Sequence, residues 1–199
     1  MMLDLLSRGG VLVYPLVCCS VLALAVFLER LYRMSAGCRF EEELAKRLGA
    51  AIRAGDGKAV AMIAADCGGP EGRLLQEGAA VMGRNRQTAD SILNHCLEME
   101  VRNQARHLDL LATIGNLAPL LGLLGTVIGM IKAFMVIQDA GGAVNASVLA
   151  GGIWEAMLTT ALGLAVALPT IVAHGFLVGR IERFESSMKN ITVLFLRDN

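Results

Sequence analysis

Residues 110–131 read LLATIGNLAPLLGLLGTVIGMI, and the fold class follows from this segment. It contains 22 residues, and none of them carries a charge. A helix of about 20 apolar residues crosses the hydrocarbon core of a bilayer, which is about 30 Å thick. The segment is therefore predicted to be a transmembrane helix, and the protein is predicted to be an all-α membrane protein.

Small residues recur in this segment at spacings that place them on one face of a helix. They are Ala118, Gly122, Gly125 and Gly129. A second set with the same spacing follows in the last apolar segment. It consists of the small residues Ala156, Gly163 and Ala167 together with Thr160. Such stripes let two helices approach closely inside a membrane. We predict that these residues form a helix-packing contact.

Two other segments are long and apolar enough to cross a bilayer. Residues 11–28 carry no charge, and residues 153–179 carry one charged side chain, that of Glu155. No strand-like alternation is visible in the sequence. The predicted order is an interfacial N-terminal segment 1–10, a first span 11–28, a cytoplasmic helical region 29–107, a second span 108–137, a periplasmic loop 138–152, a third span 153–179 and a cytoplasmic helical tail 180–199.

The cytoplasmic region is divided by glycine, proline and asparagine into predicted helices at 40–54, 58–65 and 71–83, and a last helix from Thr88. Either Thr88 or Asp90 is a candidate N-cap for that last helix. Because neither proline nor glycine follows until Gly115, the helix is predicted to run unbroken into the second span. Two of the three transmembrane helices are thus expected to be very long and to extend into the cytoplasm.

The C-terminal tail is predicted to be amphipathic. Its apolar residues recur every three or four positions from Ile181 to Phe195. This spacing fits a helix that packs against residues 88–107.

Basic residues predict the orientation in the membrane. Twelve Lys and Arg lie between Arg30 and Arg106, four follow Gly179, and residues 138–152 contain none. Because cytoplasmic segments carry an excess of Lys and Arg, residues 29–107 and the tail are predicted to be cytoplasmic. The N-terminus is then on the outer side of the membrane, and Lys132 lies near the outer end of the second span, where its side chain can reach the interface.

Composition excludes several functional classes. The chain has 18 basic and 18 acidic side chains, so nothing indicates nucleic-acid binding. The five cysteines and three histidines lack metal-ligand spacing, and we expect the cysteines to be reduced thiols. No nucleophile–base pair or phosphate-binding loop is present in the sequence. We therefore expect neither an enzyme nor a bound metal or cofactor.

Three polar side chains in the apolar segments are candidates for an ion pathway: Glu155, Thr126 and Thr160. An ionisable residue within a span is costly and commonly marks an ion path or a partner contact. For Glu155 the alternative is that Gly151 and Gly152 break the helix, which leaves an interfacial acid in a first turn. For the threonines the alternative is a hydrogen bond of each hydroxyl to its own helix.

The three apolar segments together resemble the MotA/TolQ/ExbB proton-channel family, and ExbB and TolQ most of all. The resemblance rests on GNLAPLLGLLGTVIGMIKAF at 115–134 and GGIWEAMLTTALGLAVALPTIVAH at 151–174, with GGVLVYPLVCCSVLALAVFLER at 9–30. It places the family's pore threonines at Thr126 and Thr160, and its third-span glutamate at Glu155. Thr159 stands where these relatives often have a small apolar residue.

The resemblance implies a homopentameric ring in the inner membrane, in contact with membrane lipid. Inside the ring it implies an ExbD/TolR-like single-span partner that carries a membrane aspartate, and further out a TonB/TolA-like energy transducer. The implied function is conversion of proton motive force into mechanical work across the cell envelope. Two alternatives are a membrane scaffold without ion conduction and a flagellar-type stator subunit. Stator subunits are usually longer, with four spans, and generally lack the glutamate.

Overall fold

The structure is a computed structural model that describes residues 10–35, 42–139 and 146–198. All regular secondary structure in these ranges is helical. The helices are α1 (Val13–Ser35), α2 (Glu42–Arg53), α3 (Gly57–Cys67), α4 (Gly69–Val81), α5 (Arg86–Ala105), α6 (Leu108–Asp139) and α7 (Ala146–Asp198). The predicted interfacial segment 1–10 lies outside the described residues except for Gly10.

Three helical stretches are long and apolar enough to cross a membrane: Val13–Met34, Arg86–Gln138 and Ala150–Arg197. The protein is therefore an all-helical, multi-pass membrane protein with two long spanning stretches, as the sequence predicted. The chain divides into two compact units. We call Met1–Leu28 with His107–Gly175 the span unit, and Glu29–Arg106 with Phe176–Asn199 the bundle unit.

The bundle unit has an apolar core built from helices α2 to α5 and the end of α7. Leu93 of α5 shares this core with Met188, Ile191 and Phe195, and all four are almost completely buried. The predicted packing of the tail against residues 88–107 is therefore confirmed. Gly78 lies directly against the ring of Phe195. A methyl group at position 78 would overlap that ring.

Polar contacts within the bundle unit fix its helix ends and one buried acid. The Asp56 carboxylate accepts hydrogen bonds from the amides of Lys58 and Ala59 and so caps α3. Arg73 of α4 donates two hydrogen bonds of 2.6 Å to the buried Glu100 carboxylate of α5. A two-point arginine–carboxylate contact of this kind fixes the geometry between two helices.

The prediction of an unbroken helix from Thr88 into the second span is wrong. Helix α5 ends at Ala105 and α6 begins at Leu108, and His107 between them has a φ of +69°. The guanidinium of Arg30 donates a 3.1 Å hydrogen bond to the carbonyl of Asn103, in the last turn of α5. Carbonyls in a last turn lack helical partners, so this contact satisfies one of them where the helix ends.

Two smaller predictions are also wrong. Helix α5 is capped by Asn85, whose side chain accepts from the amide of Gln87, and neither Thr88 nor Asp90 serves as the cap. Cys67 is disulfide-bonded, whereas we expected all five cysteines to be reduced. The cysteines at 18, 19 and 96 are free thiols.

Candidate ion pathway in the span unit

Helices α6 and α7 pack through the two predicted stripes of small residues. A methyl group added at Gly163 would lie 2.6 Å from the carbonyl oxygen of Ala118 and 3.0 Å from the Cα of Gly122. One added at Gly129 would lie 2.9 Å from the Cβ of Ala156. The backbones therefore touch, and no side chain larger than hydrogen fits at these glycines. We call this contact the small-residue interface; it comprises Ala118, Gly122, Gly125, Gly129, Ala156, Gly163 and Ala167.

The contacting pairs define an antiparallel register. Gly115 lies against Ile171, Gly122 against Gly163, Gly129 against Ala156, and Gly152 against Ala133. Residue numbers rise along α6 as they fall along α7, which two consecutive spans of opposite direction require. Leu16 of α1 is buried against Ala118 and Ala167, so the first span covers one part of the interface.

The Thr160 side chain forms a hydrogen bond that crosses between α6 and α7 at the small-residue interface. Its hydroxyl donates a 3.0 Å hydrogen bond to the carbonyl of Gly122, and its side chain is half-buried. The close approach of the backbones makes this bond possible, because Gly122 has no side chain to shield its carbonyl. The alternative that each threonine bonds only to its own helix therefore fails for Thr160.

Thr126 is arranged differently. Its hydroxyl donates a 2.7 Å hydrogen bond to the carbonyl of Leu123, one turn earlier in the same helix. Its side chain is half-buried and lies on α6 beside Gly125, which faces α7. The structure therefore brings Thr160 into the interface and leaves the Thr126 hydroxyl on its own helix.

Thr159 lies in the small-residue interface, although the sequence did not predict a role for it. It is 2% exposed, packs directly on Gly125 and donates a 2.7 Å hydrogen bond to the carbonyl of Ala156. A signal was available in the sequence, since Thr159 follows Glu155 by four residues and shares its helical face. With Thr160, it gives the interface two adjacent hydroxyl groups.

Glu155 lies in the third turn of α7, which begins at Ala146. The helix continues through Gly151 and Gly152, so the alternative in which these glycines interrupt it is wrong. The half-buried carboxylate accepts a 3.3 Å hydrogen bond and ion pair from the ammonium group of Lys132 on α6. Gly10, with a φ of +69°, packs directly on the same carboxylate. No pattern in the sequence predicted this partner for Glu155.

The remaining surfaces of the two helices are apolar. Large side chains on α6 that are exposed in the single chain include Leu120, Leu123, Val127 and Ile131. In a membrane, such surfaces contact lipid or other protein chains. Within the described ranges, no group of three or more His, Cys, Asp or Glu side chains could hold a metal ion.

More than half of the chain is similar to a known family of membrane proteins. Residues 68–190, more than half of the chain, match the model of the MotA/TolQ/ExbB proton channel family. The chain is 31% identical to the biopolymer transport protein ExbB-like 3 of Synechocystis sp. over 165 residues, which are 82% of this chain and 79% of that protein. It is 30% identical to the biopolymer transport protein exbB1 of Vibrio cholerae over 173 residues, 84% of this chain and 75% of the relative.

A third relative is longer than this chain. The ExbB homolog of Methanothermobacter thermautotrophicus is 27% identical over 183 residues, and the match spans 90% of this chain but 64% of the relative. The three matches together include most of the sequence, so the similarity is not confined to the second and third spans.

Proposed function

We propose a function from one premise: this chain belongs to the MotA/TolQ/ExbB proton channel family, close to its ExbB and TolQ members. The proposed function is that of a channel and motor subunit. With a single-span partner of the ExbD/TolR type, it converts proton motive force into mechanical work across the cell envelope. Moving one charge through 100 mV releases about 2.3 kcal/mol, which limits the work available from each proton at that potential.

The observation that carries this proposal is the hydrogen bond from Thr160 to the carbonyl of Gly122. It places a hydroxyl and a carbonyl where two apolar helices touch. A hydroxyl can donate and accept, so this pair provides polar partners for a titrating group that passes along the interface. In the proposal Thr126 and Thr160 line the pathway, and Glu155 contributes its negative charge.

The partner supplies the group that binds and releases the proton. Residues 11–28, 110–131 and 153–179 contain no aspartate, and their one carboxyl group is that of Glu155. A membrane aspartate on the partner completes the pathway. We further propose that five copies of this chain form a ring in the inner membrane, with the N-terminus periplasmic and the C-terminus cytoplasmic. The basic residues of 29–107 and of the tail support this orientation.

The Thr160 hydroxyl provides the direct test. The complex is captured from its native membrane through a tag on this chain and reconstituted into vesicles. The vesicles are loaded with a pH-sensitive dye that reports proton flux. Thr160→Val is expected to lower proton flux at least about tenfold, equivalent to roughly 1.4 kcal/mol of lost stabilisation. Thr160→Ser keeps the hydroxyl and is expected to retain most of the flux.

Thr170→Val is the matched control for this test. Thr170 lies on the same helix, is 5% exposed, and donates to the carbonyl of Val166 in its own helix. Its removal is expected to leave flux unchanged. Equal flux from the Thr160→Val and wild-type complexes would contradict the proposal.

A membrane scaffold is the second candidate function, and one observation favours it. The hydroxyls of Thr126, Thr159 and Thr160 all donate to backbone carbonyls, as they would if they only stabilised packing. A scaffold predicts that Thr160→Val impairs assembly of the complex. The channel proposal predicts that assembly, measured by intact mass, is preserved while flux is lost.

A further inference from the structure

The ion pair between Lys132 and Glu155 joins two charged side chains within residues 110–179. That range holds three charged side chains, and the third belongs to Asp139, the last residue of α6, whose side chain lies outside the described ones. Lys132 and Glu155 are 23 residues apart in sequence and come from different helices. Their nitrogen and oxygen are nevertheless 3.3 Å apart.

The position of this pair in the register makes it part of the small-residue interface. Gly129, one turn before Lys132, packs on Ala156, the residue after Glu155. The side chains of Lys132 and Glu155 are 54% and 28% exposed in the single chain, so the carboxylate is the more enclosed of the two. Thr159 and Thr160 follow it by one turn.

The backbone before α1 encloses the carboxylate from another direction. At Gly10 a methyl group would overlap an oxygen of the Glu155 carboxylate. Of the described residues packed on this carboxylate, Lys132 brings a charge and Gly10 brings backbone alone. Enclosure of this kind raises the cost of leaving the carboxylate without its partner.

We propose that Lys132 is a positioning residue that holds Glu155 as a fixed negative charge at the end of the small-residue interface. The pair and the backbone of Gly10 restrict the carboxylate to one place beside the interface hydroxyls. Glu155 then acts through its charge and does not carry protons in each cycle. This inference rests on the proposed function and assigns a division of labour within it, in which the proton is carried by the partner's carboxyl group.

A double-mutant cycle tests the pairing without any measurement of transport. Lys132→Met and Glu155→Gln are made singly and together in the full chain, and unfolding is followed in detergent. Each single change is expected to destabilise the protein, and the double variant no more than either single. The expected coupling is about tenfold in the unfolding equilibrium constant. The pair formed by Lys189 and Glu185, exposed and within one helix, provides a control cycle with little coupling.

A charge exchange tests the role of the carboxylate in flux. Lys132→Glu and Glu155→Lys are each expected to reduce proton flux at least about tenfold, whereas the combined exchange restores it to within about threefold of wild type. Lys132→Arg keeps the charge and is expected to conduct normally. If a reversed single variant fails to fold, Lys132→Met is compared with Lys132→Arg, and flux is expected to fall in Lys132→Met alone.

Two results would overturn the inference. One is independent, additive effects of Lys132→Met and Glu155→Gln on unfolding, which would mean that the two side chains do not act as a pair. The other is an exchanged variant that regains stability but not flux, which would mean that flux depends on a carboxyl group at position 155 and not on the pair of charges. Failure of the proposed function is distinguishable, since it would abolish flux in the wild-type complex and leave the unfolding cycle unaffected.

Discussion

Single residues in this protein matter where a polar group is enclosed. Thr160 and Glu155 have partners on the neighbouring helix, Gly122 and Lys132 respectively. The sequence identified Thr160 and Glu155 because polar residues in apolar segments are conspicuous. It could not identify their partners, because spacing along one helix does not determine which residue of another helix lies opposite.

Glu71 in the bundle unit is an enclosed acid of a different kind. It is 5% exposed, and within the described part of the chain its Oε2 atom has no hydrogen-bond partner. Burial raises the pKa of this carboxyl group and the nearby Glu100 carboxylate raises it further, whereas a hydrogen bond from the backbone amide of Glu71 and the charge of Arg73 partly oppose the rise. The folded protein therefore holds a proton at pH values where the unfolded chain has released it.

This difference sets the direction of a pH dependence. Stability is expected to fall as pH rises from the ordinary pKa of a glutamate through the raised pKa of Glu71, because the folded state binds more protons in that window. Glu71→Gln is expected to remove this loss and to stabilise the protein at neutral pH by roughly 1 kcal/mol. Urea unfolding at several pH values measures both effects. Glu77→Gln, at an exposed position of the same helix, is the control, and an equal response in both variants would refute the argument.

At the level of helices, the sequence predicted the spans well and the helix ends poorly. Apolar length fixes a span, and the spacing of small residues fixes the face through which it packs, so both are local properties. Near the break at His107, the side chain of Arg30 contacts the carbonyl of Asn103, which joins residues 73 positions apart. Neither glycine nor proline lies between Thr88 and Gly115 to reveal this helix end.

Two glycines of α7 test the close approach of α6 and α7. Gly163 lies in the contact, and Gly175 serves as its control. Gly163→Ala adds a methyl group 2.6 Å from the Ala118 carbonyl and is expected to destabilise the protein by about 1–3 kcal/mol, the usual cost of overpacking. Gly175→Ala has open space around it and is expected to be neutral or stabilising by up to about 1 kcal/mol. Thermal unfolding in detergent compares them, and equal effects would argue against tight packing at Gly163.

The contact at the end of α5 can be tested by comparing substitutions at two arginines of α1. Both side chains pair with Glu29, but Arg30 is 1% exposed and also bonds to the Asn103 carbonyl, whereas Arg33 is 62% exposed. Arg30→Met is expected to lower the free energy of unfolding by about 1–3 kcal/mol, since a hydrogen bond from a buried charge is lost. Arg33→Met is expected to change it by less than about 0.5 kcal/mol. Similar losses in the two variants would contradict the expected stabilisation by the Asn103 contact.

The whole molecule is a multi-pass membrane protein of the MotA/TolQ/ExbB family. Much of the surface of its spanning helices is apolar and exposed in the single chain. In each of the two long stretches, 22% of the most apolar segment is buried. Lipid, further copies of the chain and a partner span can all cover such a surface. The proposed ring with a central partner uses all three.

The central claim is that this chain supplies a polar path and the partner supplies the carboxyl group that titrates along it. The most direct measurement compares proton flux into vesicles that hold the captured complex with flux into vesicles that hold this chain alone, under one imposed pH gradient and membrane potential. The account predicts flux with the complex and at most about a tenth of it with the chain alone. Equal flux in the two preparations, or no flux in the complex, would contradict it.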